Sequence, residues 1–132
     1  MRAREFLVAS VLALADLGRA VLAVPVVEWC RRSYGPSRSL SMLRRSGCRR
    51  VRRTPGARGA LQRRIAAVDA CFPGGRNCYR RVLLEVALDS GAAAETVHLG
   101  LRVGGGPGSG HAWLASWPDA ANAGAYDVVV EV

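Results

Sequence analysis

Phe72-Pro73-Gly74-Gly75-Arg76-Asn77-Cys78, the run Tyr79 to Leu88 behind it, and Gly110-His111-Ala112-Trp113 are the stretches whose reading decides the fold. Pro73 lacks an N–H donor, and Gly74 and Gly75 favour a turn, so a preceding helix stops here. Asn77 is suited to cap the next helix by accepting an N–H from its first turn, which makes Cys78 the first helical residue. Val82, Leu83, Val86 and Ala87 recur at helical spacing, Leu84 and Leu88 widen the apolar stripe, and Asp89-Ser90-Gly91 ends it. A cysteine therefore heads a core helix.

Downstream the period changes to two. Val97, Leu99, Leu101 and Val103 fall on one side of a half-buried strand over 95–103, and Thr96, His98, Gly100 and Arg102 fall on the other. Residues 104–110 carry almost no side chains to bury and read as a loop. His111 to Trp117 and Tyr126 to Val132 predict two more strands around a loop at 118–125, for which a consecutive antiparallel meander is the simplest arrangement. Upstream, Leu61, Ile65 and Val68 predict a helix over 61–71. The fold class is α+β, with N-terminal helices and a Cys-headed core helix packed on a small antiparallel sheet.

Residues 5–29 are apolar at nearly every position. A membrane span is disfavoured because Asp16 and Arg19 near its middle would each cost about 2.5–3.5 kcal/mol. A signal peptide would use Arg2 and Arg4, Phe6 to Leu12 and a small-residue site at Ala13-Leu14-Ala15, but its apolar region is short and Glu5 interrupts its basic start. The preferred reading is a buried helix, or a helical pair broken near Gly18, bent or ended by Pro25. From Cys30 to Gly59 the chain reads as a basic, mobile connector with a short helix at most, because Leu40, Met42, Leu43 and Val51 are too few to anchor a core. The organisation is thus one compact unit, with an arm and Arg-rich connector over 1–60 and a core over 61–132.

The formal net charge is +9, and all nineteen basic residues are Arg. Twelve of them lie from Arg31 to Arg64, with no Asp or Glu among them. Such a patch attracts nucleic acid, anionic lipid or acidic peptide, or is a solvated connector. The four cysteines, Cys30, Cys48, Cys71 and Cys78, form no C-x-x-C pair and have no histidine at ligand spacing, which argues against zinc. Reduced thiols, a cytoplasmic location and a reaction without metal or cofactor are the expectation.

A thiolate at a helix N-terminus is stabilised by free N–H groups and the helix dipole. Cys78 and His111, one at a helix start and one at a strand start, are accordingly the candidate nucleophile and base. Gly74 and Gly75 would let a substrate backbone approach, and the Cys78 N–H is a candidate oxyanion donor. The competing reading makes Cys78 a buried small hydrophobe and His111 a satisfied strand histidine. His98, in mid-strand beside Gly100, reads as structural. An imidazole base needs an orienting acid, and Asp119, Asp127 and Glu131 are available. If 111–117 and 126–132 form a hairpin, His111 lies opposite Glu131, whereas Asp127 is about 13 Å away along the strand. Glu131 is the first choice and Asp127 the alternative. Two competing readings make Asp127 and Glu131 the solvent face of an edge strand, or leave the imidazole without an orienting acid.

A Cys opening a helix after a Pro-Gly turn, the strand Val97 to Val103, and then Gly110-His111-Ala112-Trp113 together resemble the transglutaminase-like superfamily. In particular they are similar to the lasso peptide biosynthesis B2 proteins, leader peptidases related to the C-terminal domain of the microcin J25 processing protein. The resemblance implies a papain/transglutaminase-like fold and a Cys-His-Asp triad, onto which Cys78 and His111 map directly; Glu131 stands where the family shows Asp. Trp113 of the triplet joins Gly74 and Gly75 as a residue of the substrate approach. The implied function is a cysteine endopeptidase that removes the leader from a ribosomally made, lasso-type precursor peptide. Its implied partners are that precursor, a small leader-binding (B1) protein and an ATP-dependent cyclase. Arg49, Arg50, Arg52 and Arg53, with the apolar arm, are the expected contacts of leader or partner. Two other functions compete: acyl transfer to an amine, as in true transglutaminases, and a non-catalytic basic module binding nucleic acid or anionic membrane through 31–64. Nucleic acid is not expected, because the basic stretch lacks interleaved aromatics.

Overall fold

Helix α4, Cys78–Leu88, is the element against which most others pack. Every residue from Val82 to Leu88 is buried. Burying each large aliphatic side chain there contributes roughly 1.5–3 kcal/mol. Asn77 caps its start, with Oδ1 accepting the Arg80 N–H at 2.9 Å. Asp89 ends it and caps α5, Ser90–Ala93, by accepting the Ala92 N–H at 2.9 Å. The computed structural model describes residues 2–106 and 109–132, excluding the side chains of residues 119, 121 and 122.

Three longer helices precede α4: α1, Arg2–Ser33; α2, Pro36–Gly47; and α3, Pro55–Ala70. They are followed by β1, Val97–Leu101; β2, His111–Leu114; a 3-10 helix, Pro118–Ala125; and β3, Val128–Glu131. The protein is α+β, with long N-terminal helices packed on a small three-strand antiparallel sheet.

Three expectations are corrected here. First, α1 is one helix of 32 residues that runs through both Gly18 and Pro25, and it is not the buried helix expected, since residues 2–12 are exposed. Ala20, Val24, Val27 and Cys30 are buried on either side of Pro25, so the helix is held to the body across the proline, whose own position faces solvent. Second, the 30–59 stretch is a helical layer rather than a mobile connector. Few apolar residues suffice because α2 lies close on α4: Gly47 has no side chain, and a Cβ there would overlap the Val86 carbonyl. Leu40 and Leu43 are buried, and Ser39 Oγ donates to the Cys30 carbonyl at 2.9 Å. Helix α3 also starts six residues before the predicted point, since Thr54 caps it and Pro55 occupies its first position.

Third, the sheet order is β2-β1-β3, so no meander forms. Strand β1 is central, and the chain leaving β2 crosses through the 3-10 helix to the far side of β1. Gly100 faces His111 on one side and Val129 on the other. Beyond the last strand, Val97 and Val132 exchange both backbone hydrogen bonds, at 3.1 and 2.9 Å. Glycine at 100 admits the Tyr126 ring: a Cβ there would lie 2.6 Å from Tyr126 Cγ and 2.9 Å from the Trp113 ring. The predicted loop after β1 is present as far as described, Pro107 and Gly108 lying outside the described residues.

Candidate active site

The turn that presents Cys78 is built from glycine geometry and one buried arginine. Gly74 and Gly75 have φ of 96° and 83°, a left-handed conformation that side chains rarely adopt, and among the described residues no atom beyond those of the adjoining residues lies within 4 Å of where a Cβ would stand. The backbone is therefore open on that side. Arg80, 3% exposed, donates from Nη2 to the Gly75 carbonyl at 2.6 Å and from Nε to Asp69 Oδ1 at 2.7 Å. Asp69 Oδ2 in turn accepts the Asn77 N–H at 2.9 Å, and Arg80 Nη1 reaches Glu28 Oε1 at 3.1 Å. The Phe72 ring lies 4.2 Å from the guanidinium. One side chain thus ties the turn to the end of α3 and to α1.

Cys78, half-buried, projects from this turn to the edge of β2, where the Ala112 N–H donates to its Sγ at 3.3 Å. Ala112 immediately follows His111, so positions 33 residues apart in sequence are brought to adjoining places. His111 is half-buried, and its ring stacks with Trp113 at 5.7 Å and with Tyr126 at 6.1 Å between centroids. The array continues through Trp113 to Tyr126 at 5.4 Å and to His98 at 5.5 Å.

Trp113 is only 1% exposed, so it packs and holds the imidazoles rather than lining a substrate approach. Glu131 stands opposite His98, with Oε1 3.7 Å from His98 Nδ1, and its side chain is 72% exposed. Strand β1 lies between it and His111, so the hairpin that would have set Glu131 beside His111 is not formed. Asp127 serves the end of β1: Oδ2 accepts the Val103 N–H at 2.7 Å, and its own N–H donates to the Leu101 carbonyl at 3.0 Å. The Asp119 side chain is outside the described residues.

Much of the Arg-rich segment is committed to the fold. Arg53 makes a two-pronged pair with the buried Asp16, both contacts at 2.8 Å, and Arg64 joins at 3.0 Å. It is therefore not available as a surface contact, whereas Arg49, Arg50 and Arg52 are exposed. Arg58 bonds Glu85 at 2.6 Å and also pairs with Glu95, and Arg44 donates to the carbonyls of Glu95 and Val132 at 2.8 and 3.0 Å. Hydrogen bonding from Arg31 holds the Glu28 carboxyl down to about 2, with burial opposing and Arg80 assisting. Burial also opposes ionisation of Glu95, but hydrogen bonds from Arg58 and Ser116 outweigh it and hold that carboxyl below its usual range. All four cysteines are free thiols; Cys48 and Cys71 are exposed, and burial pushes the Cys30 thiol up. Among the described residues, no three His, Cys, Asp or Glu gather closely enough to hold a metal ion.

Two supporting residues escaped the sequence reading. Arg80 was legible in principle, because a cation in the first turn of a helix opposes the helix dipole and calls for a buried acid. Tyr126 carried no such signal, since its role depends on the glycine it covers across the sheet. Neither protein-family models, curated proteins nor solved structures show a match to this chain. The functional reading therefore rests on the residues and their geometry.

Proposed function

We propose that the protein is a papain/transglutaminase-like cysteine endopeptidase that removes the leader from a ribosomally made, lasso-type precursor peptide. The observation that carries this reading is the hydrogen bond from Ala112, the residue after His111, to Cys78 Sγ at a helix N-terminus. It sets a thiol at a helix start beside the strand that bears the imidazole.

In the proposed reaction His111 takes the Cys78 proton and the thiolate attacks the scissile carbonyl, forming an S–C bond and an oxyanion. The Cys78 backbone N–H is a donor toward that oxyanion. The imidazolium then protonates the leaving amine as the C–N bond breaks, leaving a thioester. Water, deprotonated by His111, attacks the thioester, and Cys78 leaves with the carboxylic product released. The open backbone at Gly74 and Gly75 gives an extended substrate access to the thiol. A small leader-binding protein would deliver the precursor and an ATP-dependent cyclase would take the core peptide, all in the cytoplasm.

The test is processing of a cognate precursor by the purified chain with its leader-binding partner, read by product mass. Cys78→Ala should abolish cleavage while preserving the far-UV circular dichroism spectrum. Cleavage by that variant at the parent rate would remove the proposal. Product mass with an added primary amine separates hydrolysis from acyl transfer.

A further inference from the structure

The first half of α1 stands off the body and exposes a broad apolar surface. Phe6, Leu7, Val8, Val11, Leu12 and Leu14 are 54–78% exposed. At 100° per residue they cover about 240° of the helix circumference, and the remaining sector holds Ala9, Ala13, Arg2, Glu5 and Asp16. Ser10 does not provide a polar side, since its hydroxyl turns back on the Phe6 carbonyl at 2.9 Å. A helix apolar on one narrow stripe fits a partner helix or a second copy, which covers that stripe alone; an apolar arc of about 240° is wider than one partner covers and fits the acyl region of a bilayer.

At the base of this arm lies a cleft of about 650 Å³ between Ala9 and Leu12 of α1 and the guanidinium-rich segment that joins α2 to α3. Arg19, Arg49, Arg50, Arg52, Arg53 and Arg64 surround it, and Asp16 is the one acid of its lining. Asp16 is already engaged by Arg53 and Arg64. Arg49, Arg50 and Arg52 are exposed and form no ion pair among the described residues.

We propose that the arm inserts into a lipid bilayer while the arginine collar sits on anionic headgroups. Phe6 to Ala15 spans about 15 Å at 1.5 Å per residue, about half of a ~30 Å hydrocarbon core. The charges that weigh against a span in the sequence, Asp16 and Arg19, belong to the collar and stay at the surface. The arm lies along the headgroup boundary, so that Arg2, Arg4 and Glu5 reach water while the apolar side chains between Glu5 and Asp16 enter the acyl region. The occupant is a bilayer rather than an acidic peptide because a peptide would engage the collar and leave the arm bare. This proposal rests on α1 and the collar, independently of the chemistry at Cys78.

The experiment floats the full chain with vesicles of phosphatidylcholine alone and of phosphatidylcholine mixed with phosphatidylglycerol. The chain should float with both, more strongly with the anionic mixture. Replacing Arg49, Arg50 and Arg52 together by Ser should weaken partition into the anionic vesicles about 100-fold and leave the zwitterionic value unchanged, each arginine near the surface contributing about fivefold. Replacing Phe6, Leu7 and Leu14 together by Ser, all outside the core, should leave only binding that a high-salt wash removes. Three results would overturn the proposal: no flotation of the parent chain, lipid-free self-association that the arm substitutions abolish, or binding to polyglutamate with no partition into either vesicle.

Discussion

Arg80→Met tests whether one buried guanidinium holds the nucleophile's turn. The substitution keeps the length of the side chain and removes its charge. It leaves the Asp69 side chain, 0% exposed, with the Asn77 N–H as its remaining hydrogen-bond donor in the site. Glu28 fares better, because Arg31 and Arg32 still reach it at 2.9 and 3.2 Å. Removing one partner of a buried pair costs about 3–5 kcal/mol. With Glu28 still compensated, the loss falls mainly on Asp69 and on the Gly75 carbonyl, which points to the lower end, about 3 kcal/mol. That is a large part of the 5–15 kcal/mol typical of a domain. Urea unfolding followed by far-UV circular dichroism measures it.

A second variant isolates the charge. Asp69→Asn in the Arg80→Met background keeps an acceptor for the Asn77 N–H and removes the uncompensated carboxylate, so it should recover about 2 kcal/mol or more of the loss. Both variants should also slow the alkylation of Cys78, because the turn that presents it loses its tie to α3. A cost under about 1 kcal/mol for Arg80→Met, or no recovery in the double variant, would refute the reasoning.

Gly100→Ala puts a methyl where Tyr126 Cγ is 2.6 Å away, so it should cost about 1–3 kcal/mol and weaken the near-UV signal of the aromatic array; an unchanged spectrum would count against the packing described. Acid should destabilise the fold between the unfolded value of Glu28, 4.5, and its folded value of about 2. Being depressed on folding, Glu28 contributes fully above that window and progressively less as pH falls through it, with Glu95 adding in the same direction. The loss is on the order of 1–3 kcal/mol, and a urea midpoint that stays flat across the window would contradict it. Glu131→Gln should leave precursor cleavage within about twofold of the parent, because β1 separates Glu131 from His111; a loss of about 100-fold or more would place Glu131 back in the reaction.

The parts of the structure that follow from local chemistry were legible. The Asn77 cap, the Cys78 start and the Leu88 end of α4 agree with the chain's spacing, as does the existence of three strands. What escaped depends on long-range charge. The α2 segment looked too polar to order, because apolar periodicity gives no credit to a serine bonded to a helix carbonyl or to a glycine that allows two backbones to touch. Three of the twelve arginines, Arg53, Arg58 and Arg64, looked like part of a solvated run because their acids lie far away in sequence. Asp16, Glu85 and Asp89 are all buried, and they draw Arg53, Arg64 and Arg58 inward with them. A buried acid is legible only with its partner, and sequence separation hides the partner.

The sheet order explains why the candidate site can exist at all. In the meander expected from chain order, β2 would be central and both of its edges would be used by neighbouring strands. The Ala112 N–H, which faces away from β1, would then be paired with β3. In the observed order β2 is an edge strand, and that N–H is spent on Cys78 Sγ instead. The start of α4 occupies the edge, which removes the exposed ladder that an open strand would present to other chains. Moving β3 to the other side of β1 has a second effect: it carries Glu131 to His98 and leads the chain through Tyr126, whose ring covers Gly100 and meets His111. The same rearrangement that takes the expected acid away from the imidazole therefore supplies the stacked support that fixes the imidazole's plane. Position of the thiol, exposure of the strand edge and orientation of the histidine are consequences of one topological choice.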